Sequence, residues 1–261
     1  MKRALIVGLN SYSDGRNKLR GCVSDAASLN NIFLSRYNFR ETNVLLNSAA
    51  TKFKILQQLE SLIDASQPGD TAVFYFSGHG CQVPSVTESD CFDECLVTYD
   101  HKWNSPLRDD DIRDCLKNHR SGVNLSLIID SCHSGGVVDS EELKVPWHPP
   151  EISEALSMKT AKSKTRVFGR RDLEPWKQRH ILYASCRSNE ISIERRFGKR
   201  GAYKGVFTAA LIKSMSTPVS RRKNWYQLAR YVNRRVHLMT QHKQNPILVC
   251  DNQNQFDKAF K

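Results

Sequence analysis

No stretch of this 261-residue chain approaches the ~20 consecutive apolar residues that a membrane-spanning helix needs, which sets aside a helical membrane protein. The amino terminus carries no secretory pattern and runs straight into the apolar ALIVGL, residues 4–9. A soluble, cytoplasmic protein without a membrane partner is therefore expected. No internal repeat is visible. Disulfide staples are not needed either, because a chain this long can bury an ample core. The eight cysteines, Cys22, Cys81, Cys91, Cys95, Cys115, Cys132, Cys186 and Cys250, are scattered and read as free thiols.

What is present is a globular composition, 39% apolar, that suits one α/β domain or at most two small ones. Charge is uneven: residues 1–140 hold 14 Lys and Arg against 17 Asp and Glu, whereas residues 141–261 hold 25 against 10. A basic half can face nucleic acid or another anionic surface, or simply water. No nucleic-acid motif accompanies the charge, so no nucleic-acid partner is expected.

Short apolar runs alternate with helical patterns. Strands are predicted at 4–9, 43–46, 71–76, 124–129, 180–185 and 246–250. Helices are predicted from about Asp25 to Arg36, from a Thr51 cap through Ile63, and over 111–118, 205–215 and 226–239. Unalternating apolar strands between helices predict a mostly parallel central sheet with helices on both faces, a three-layer α/β sandwich. Residues 139–179 break the rhythm, being rich in Lys, Arg, Pro, Ser and Glu, and read as a long exposed loop.

Open α/β sheets bind ligands in the crevice at the carboxyl ends of their strands, and two strands here end in reactive residues. TAVFYF runs into SGHG, which sets His79 at its end, and NLSLII runs into DSCHSGG, which sets Cys132 at its own. If the two strands are neighbours, a thiol and an imidazole meet as nucleophile and base. The flanking glycines would let backbone N–H groups, those of Gly80 and Cys132, receive the oxyanion formed when a thiolate attacks an amide. His133 is a poorer base for Cys132, since adjacent side chains on extended backbone point to opposite sides. Either residue alone would more often be a buried cysteine or a loop histidine. A second constellation, His79, Cys81, Cys91 and Cys95, lacks the spacing of a standard zinc site.

YFSGHG followed by IIDSCHSGG resembles the histidine and cysteine motifs of the metacaspases and orthocaspases, caspase-like cysteine peptidases. RALIVGLNSY, LRGCVSDA, HILYASC, GVFTAAL and QNPIL resemble further segments of that family, with Ser24 standing where the family usually has Asn. No amino-terminal prodomain of the kind some members carry is expected, and the caspase pentapeptide QAC[RQG]G is missing from these residues.

The resemblance implies a caspase-like fold built from a catalytic part (1–140), a basic linker (141–179) and a small-subunit-like part (180–261), together one domain, with monomers expected. Cys132 becomes the nucleophile and His79 the general base of an Arg/Lys-specific endopeptidase acting on protein or peptide substrates. Asp25, Asp130, Ser77 and Cys22 match positions lining the primary specificity pocket. Paired carboxylates suit a guanidinium or ammonium group. On residues alone Asp25 is equally a helix N-cap, and Asp130 an orienting hydrogen-bond acceptor. Asp93, Asp109, Asp110 and Asp139 match the spacing of a metacaspase calcium site, though RDDDIRD also reads as a helix start. No cofactor beyond this candidate calcium ion is implied. The linker residues Lys159, Lys162, Lys164, Arg166, Arg170, Arg171, Lys177 and Arg179 offer self-cleavage positions. An alternative is an idle caspase-like scaffold that binds protein or nucleic acid through its basic half.

Overall fold

The computed structural model describes residues 1–15, 17–84, 92–131, 180–187, 190–198, 201–250 and 257–261. At its centre is a six-stranded sheet. Strands β1 (Lys2–Gly8), β2 (Glu41–Leu46), β3 (Thr71–Ser77), β7 (Asn124–Asp130), β8 (Ile181–Ala184) and β11 (Ile247–Val249) lie side by side in the order β2-β1-β3-β7-β8-β11. All neighbours are parallel except β11, which pairs antiparallel with β8 at one edge.

Alternation along each strand sorts the core into two layers. Leu5, Val7, Phe74, Phe76, Leu125 and Leu127 face helices α2 (Lys52–Ala65) and α3 (Asp109–Leu116). Ile6, Val73, Tyr75, Ile128 and Tyr183 face α1 (Cys22–Arg36), α4 (Val206–Met215) and α5 (Trp225–Thr240). Apolar side chains on both faces of β3 are what produced its unbroken run TAVFYFS, every residue of which is buried. The sheet joins residues of 1–140 to residues of 180–261 directly, through the β7–β8 pairing. The 141–179 segment lies outside the described residues.

Helix starts follow local chemistry. Thr51 caps α2 by accepting from the Lys54 N–H at 3.3 Å. Asn224 and Gln227 cap α5 reciprocally, at 2.8 and 3.2 Å. Helix α1 differs from expectation: it begins at Cys22 behind Gly21, three residues before Asp25. Asp25 is thus inside the first turns and buried, not a cap. Its helix can lie across the end of β1 because residue 8 is glycine; a Cβ there would come 2.6 Å from the Cys22 carbonyl oxygen.

Two small sheets were not predicted from sequence. Strands β4 (Gly80–Pro84), β5 (Phe92–Leu96) and β6 (Leu107–Arg108) form an antiparallel three-stranded unit after β3. Strands β9 (Glu194–Arg196) and β10 (Tyr203–Gly205) form a hairpin that leads into α4. Among the described residues no helix is long and apolar enough to cross a membrane.

Candidate active site

The two reactive strand ends are neighbours. β3 and β7 pair in parallel with Ser77 opposite Asp130, so His79 and Cys132 each follow a paired position by two residues. Cys132 itself, like Asp139 and Cys91, lies outside the described residues. The residue before it, Ser131, is buried, and its carbonyl accepts from Ser185 Oγ at 3.2 Å and from Cys186 Sγ at 3.6 Å. Ser185 N–H in turn donates to the Ile129 carbonyl at 2.8 Å. The end of β7 is therefore held by β8 through several bonds.

His79 is buried at 4% exposure and held from three sides. Its N–H donates to the Tyr12 hydroxyl at 2.8 Å, and its carbonyl accepts from Val97 N–H at 3.0 Å. Ring atom Nε2 lies 2.7 Å from the Asn17 carbonyl oxygen. A carbonyl only accepts, so Nε2 carries the proton of the neutral ring and Nδ1 carries the lone pair. Tyr12 also lies against the imidazole, with ring centroids 5.2 Å apart. Gly80 opens β4, directly after this ring.

Asp25, Ser77 and Asp130 are brought together, all at 0% exposure. Asp25 Oδ2 accepts from Gly205 N–H at 2.9 Å and from Ser77 Oγ at 3.3 Å. Asp130 accepts from Ser192 Oγ at 2.7 Å and from Thr208 Oγ1 at 2.6 Å. Both carboxylates converge on Gly205, where a Cβ would come 2.2 Å from Asp130 Oδ2 and 3.1 Å from Asp25 Oδ2. Only glycine fits between them. Cys22, also buried, heads the same helix as Asp25. Burial lowers the Lys204 ammonium pKa, and the Asp25 carboxylate opposes that shift.

Several residues of this constellation escaped the sequence reading. Ser192 and Thr208 supply the hydroxyls on Asp130, and buried Gln244 donates to Ser192 Oγ at 3.2 Å and to the Ser185 carbonyl at 3.0 Å. Glu194, 3% exposed, accepts from Gly21 N–H at 2.8 Å and Arg20 N–H at 3.0 Å and so neutralises the head of α1. Glu194 and Gly205 are cross-strand partners, so the base of one hairpin grips α1 at two points. The only available signal was GVFTAAL and QNPIL, whose polar residues sit among apolar ones.

The second acidic group is built differently. Asp93 and Asp109 are 2% and 4% exposed, and Asp110 is half-buried. Arg108 Nη1 approaches Asp93 Oδ2 at 3.6 Å, while Arg113 pairs with Asp110 and lies 3.8 Å from Asp109 Oδ2. Asp111 accepts from Arg108 N–H at 3.0 Å, so the DDD run is a helix start as well. The hydrogen-bonded Cys81 thiol, burial and the charges of Asp109 and Asp93 all hold the Cys95 thiol far above its ordinary pKa. An all-oxygen set with two buried carboxylates has the donor chemistry of a calcium site. Among the described residues, however, no three His, Cys, Asp or Glu side chains are gathered to hold a metal. As for the His79–Cys81–Cys91–Cys95 constellation, Cys81 and Cys95 face each other across β4–β5 while the His79 ring is turned to Asn17.

With this geometry in hand, the chain can be compared with known proteins. Residues 2–141 match the family model described as metacaspase, peptidase C14 domain. The chain belongs to the metacaspase family. Metacaspase-4 of Arabidopsis thaliana is 33% identical over 154 residues, which take in 55% of this chain and 36% of that protein. Metacaspase-1 of Yarrowia lipolytica is 36% identical over 149 residues, or 53% of this chain and 32% of that one. The match thus spans about a third of the length of these curated metacaspases. Protein GSU0716 from Geobacter sulfurreducens, a solved structure, superposes with a TM-score of 0.68 at 24% identity over 100% of this chain and 98% of its own. That likeness carries the caspase-like fold of this metacaspase-family chain.

Proposed function

We propose that the chain is a cysteine endopeptidase that cuts after Arg or Lys and acts as a monomer. The observation that carries this reading is the register of β3 and β7. Ser77 opposite Asp130 means that two adjacent parallel strands run out together into a histidine and a cysteine.

In the mechanism, His79 Nδ1 takes the Cys132 thiol proton, giving a thiolate and an imidazolium. The thiolate bonds to the scissile carbonyl carbon, and the electron pair displaced onto oxygen is received by the Gly80 and Cys132 N–H groups. His79 then protonates the departing amine. Water, losing a proton to the same ring, hydrolyses the thioester and regenerates the thiol. Asn17 and Tyr12 serve as positioning residues, Asn17 keeping the ring in one tautomer and Tyr12 holding the His79 backbone N–H.

Specificity follows from Asp25 and Asp130. Two carboxylates converging on one glycine favour a cationic substrate side chain, and Arg matches carboxylate geometry best. A pocket for Asp would need guanidinium groups instead. The 141–179 linker, with its Lys and Arg residues, is a candidate self-cleavage substrate.

For calcium, Asp93, Asp109, Asp110 and Asp139 would hold the ion, which supplies positive charge among their carboxylates when bound. Arg108 and Arg113 carry that charge in the described structure, so an ion would have to displace them. Asp139 would couple the ion to the loop after Cys132.

The test is hydrolysis of matched fluorogenic peptides ending in Arg or Asp, by wild type and Cys132→Ala, with calcium and with chelator. Arg-selective turnover that vanishes in the variant is expected. Asp-selective turnover, or turnover surviving in Cys132→Ala, contradicts the proposal.

A further inference from the structure

From Arg195 to Cys250 the chain contains 13 Lys and Arg and no Asp or Glu. The fold concentrates part of this charge on α5 and the turn before it. Arg221, Arg222, Arg230 and Arg234 are exposed, and none forms an ion pair with a carboxylate among the described residues. Two tyrosines, Tyr226 and Tyr231, are 46% and 53% exposed in their midst. Exposed rings set among cations offer flat faces to a partner.

Cation and ring are paired here. The Arg230 guanidinium sits over the Tyr226 ring at 5.8 Å, and Lys223 Nζ over the Tyr231 ring at 4.0 Å. The Lys223–Tyr231 pair and Arg230 line a groove of about 590 Å³ together with Arg222, Gln227 and Arg234. A second groove on the other flank of α5, about 780 Å³, shares Arg230 and Arg234 and is lined by Tyr226. Burial, and after it the charge of Arg235, lower the Lys223 ammonium pKa.

We propose that this face of α5 binds single-stranded nucleic acid, its arginines tracking phosphates along the groove and its tyrosines stacking bases. Charge alone would suit any polyanion. The concave shape and the flat exposed rings between cations select a strand whose bases can stack, rather than an acidic peptide or a flat anionic lipid surface. The inference does not depend on the peptidase reading, since α5 supplies none of the residues assigned to catalysis. It also departs from the sequence expectation: no motif announces the site, because its residues come from one helix face and the turn before it.

The test measures fluorescence anisotropy of a labelled oligouridylate on the full chain, across a salt series. A dissociation constant of about 1–100 µM at physiological salt is expected, with log K falling against log salt at a slope of about −3 if four cations meet phosphates. Arg230→Gln with Arg234→Gln reduces the slope by about 1.4. Tyr231→Ala weakens binding about tenfold, and Tyr231→Phe restores it, because a ring is all that stacking requires. Circular dichroism confirms that each variant is folded. Absence of binding, a slope unmoved by the arginine pair, or equally tight binding of an oligoglutamate peptide that ignores Tyr231 would each overturn the proposal.

Discussion

Two groups of buried carboxylates lie in this fold, and they are neutralised in opposite ways. Around Asp25 and Asp130 the described partners are hydroxyls and a backbone N–H: Ser77, Ser192, Thr208 and Gly205. Around Asp93, Asp109 and Asp110 they are the guanidinium groups of Arg108 and Arg113. Hydrogen bonds stabilise a carboxylate without cancelling its charge, whereas an arginine cancels it. Among the described hydrogen bonds and ion pairs, the first cluster is thus held by neutral donors and the second by guanidinium groups. This difference fits the proposed division of labour, with substrate selection at the first and a structural or ion-responsive role at the second.

The comparison breaks most sharply by removing charge from each cluster in turn. Asp25→Asn should lower kcat/KM for Arg peptides about 100-fold, the scale of one lost desolvated ion pair of ~3 kcal/mol, with little loss for a neutral side chain at the cut site. Asp93→Asn should leave that preference intact. Steady-state kinetics on the paired peptides decides it; equal loss in both variants would erase the distinction drawn here.

Next in size is the bond network behind the first cluster. Thr208→Val leaves Asp130 Oδ2 without its 2.6 Å donor at a fully buried position, and should cost ~1–3 kcal/mol of stability, read from denaturant midpoints. Arg113→Gln tests the second cluster. With its internal cation removed, Asp109 and Asp110 repel each other, so calcium should raise the melting temperature of the variant more than that of wild type. Equal shifts would mean that Arg113 and calcium do not compete.

The smallest expected effect is a pH dependence away from both clusters. Burial lowers the pKa of His101 from 6.5 to about 4, so the folded state resists a proton that the unfolded chain accepts. Stability from this residue is complete above pH 6.5 and declines as pH falls toward 4. A melting series over that window should drop by several degrees, and the drop should shrink in His101→Gln.

How much of this was legible beforehand depends on the range of the signal. The sheet was readable because strands buried on both faces leave unbroken apolar runs, and β3 and β7 end visibly in SGHG and DSCHSGG. Their adjacency was a guess about topology that the Ser77–Asp130 pairing bears out. The β4–β6 unit and the β9–β10 hairpin were invisible, since strands of two to five residues carry too little period to register. Asn17 on His79, Thr208 on Asp130 and Glu194 on Gly21 were also unreadable. Those contacts join residues 62, 78 and 173 positions apart, and nothing local marks either partner. For Asp25 the local signal misled: a helical pattern beginning there reads as a cap, whereas Gly21 is the cap and the carboxylate turns into the core.

The central claim is that Cys132 attacks the carbonyl after a basic side chain selected by Asp25 and Asp130. Its most direct test is covalent capture, in which peptidyl acyloxymethyl ketones ending in Arg or in Asp are incubated with the chain and the adduct is located by peptide mass mapping. The account expects one adduct, on Cys132, formed by the Arg probe and suppressed in Asp25→Asn and in His79→Ala. An adduct on another cysteine, or equal capture of the Asp probe, would contradict it.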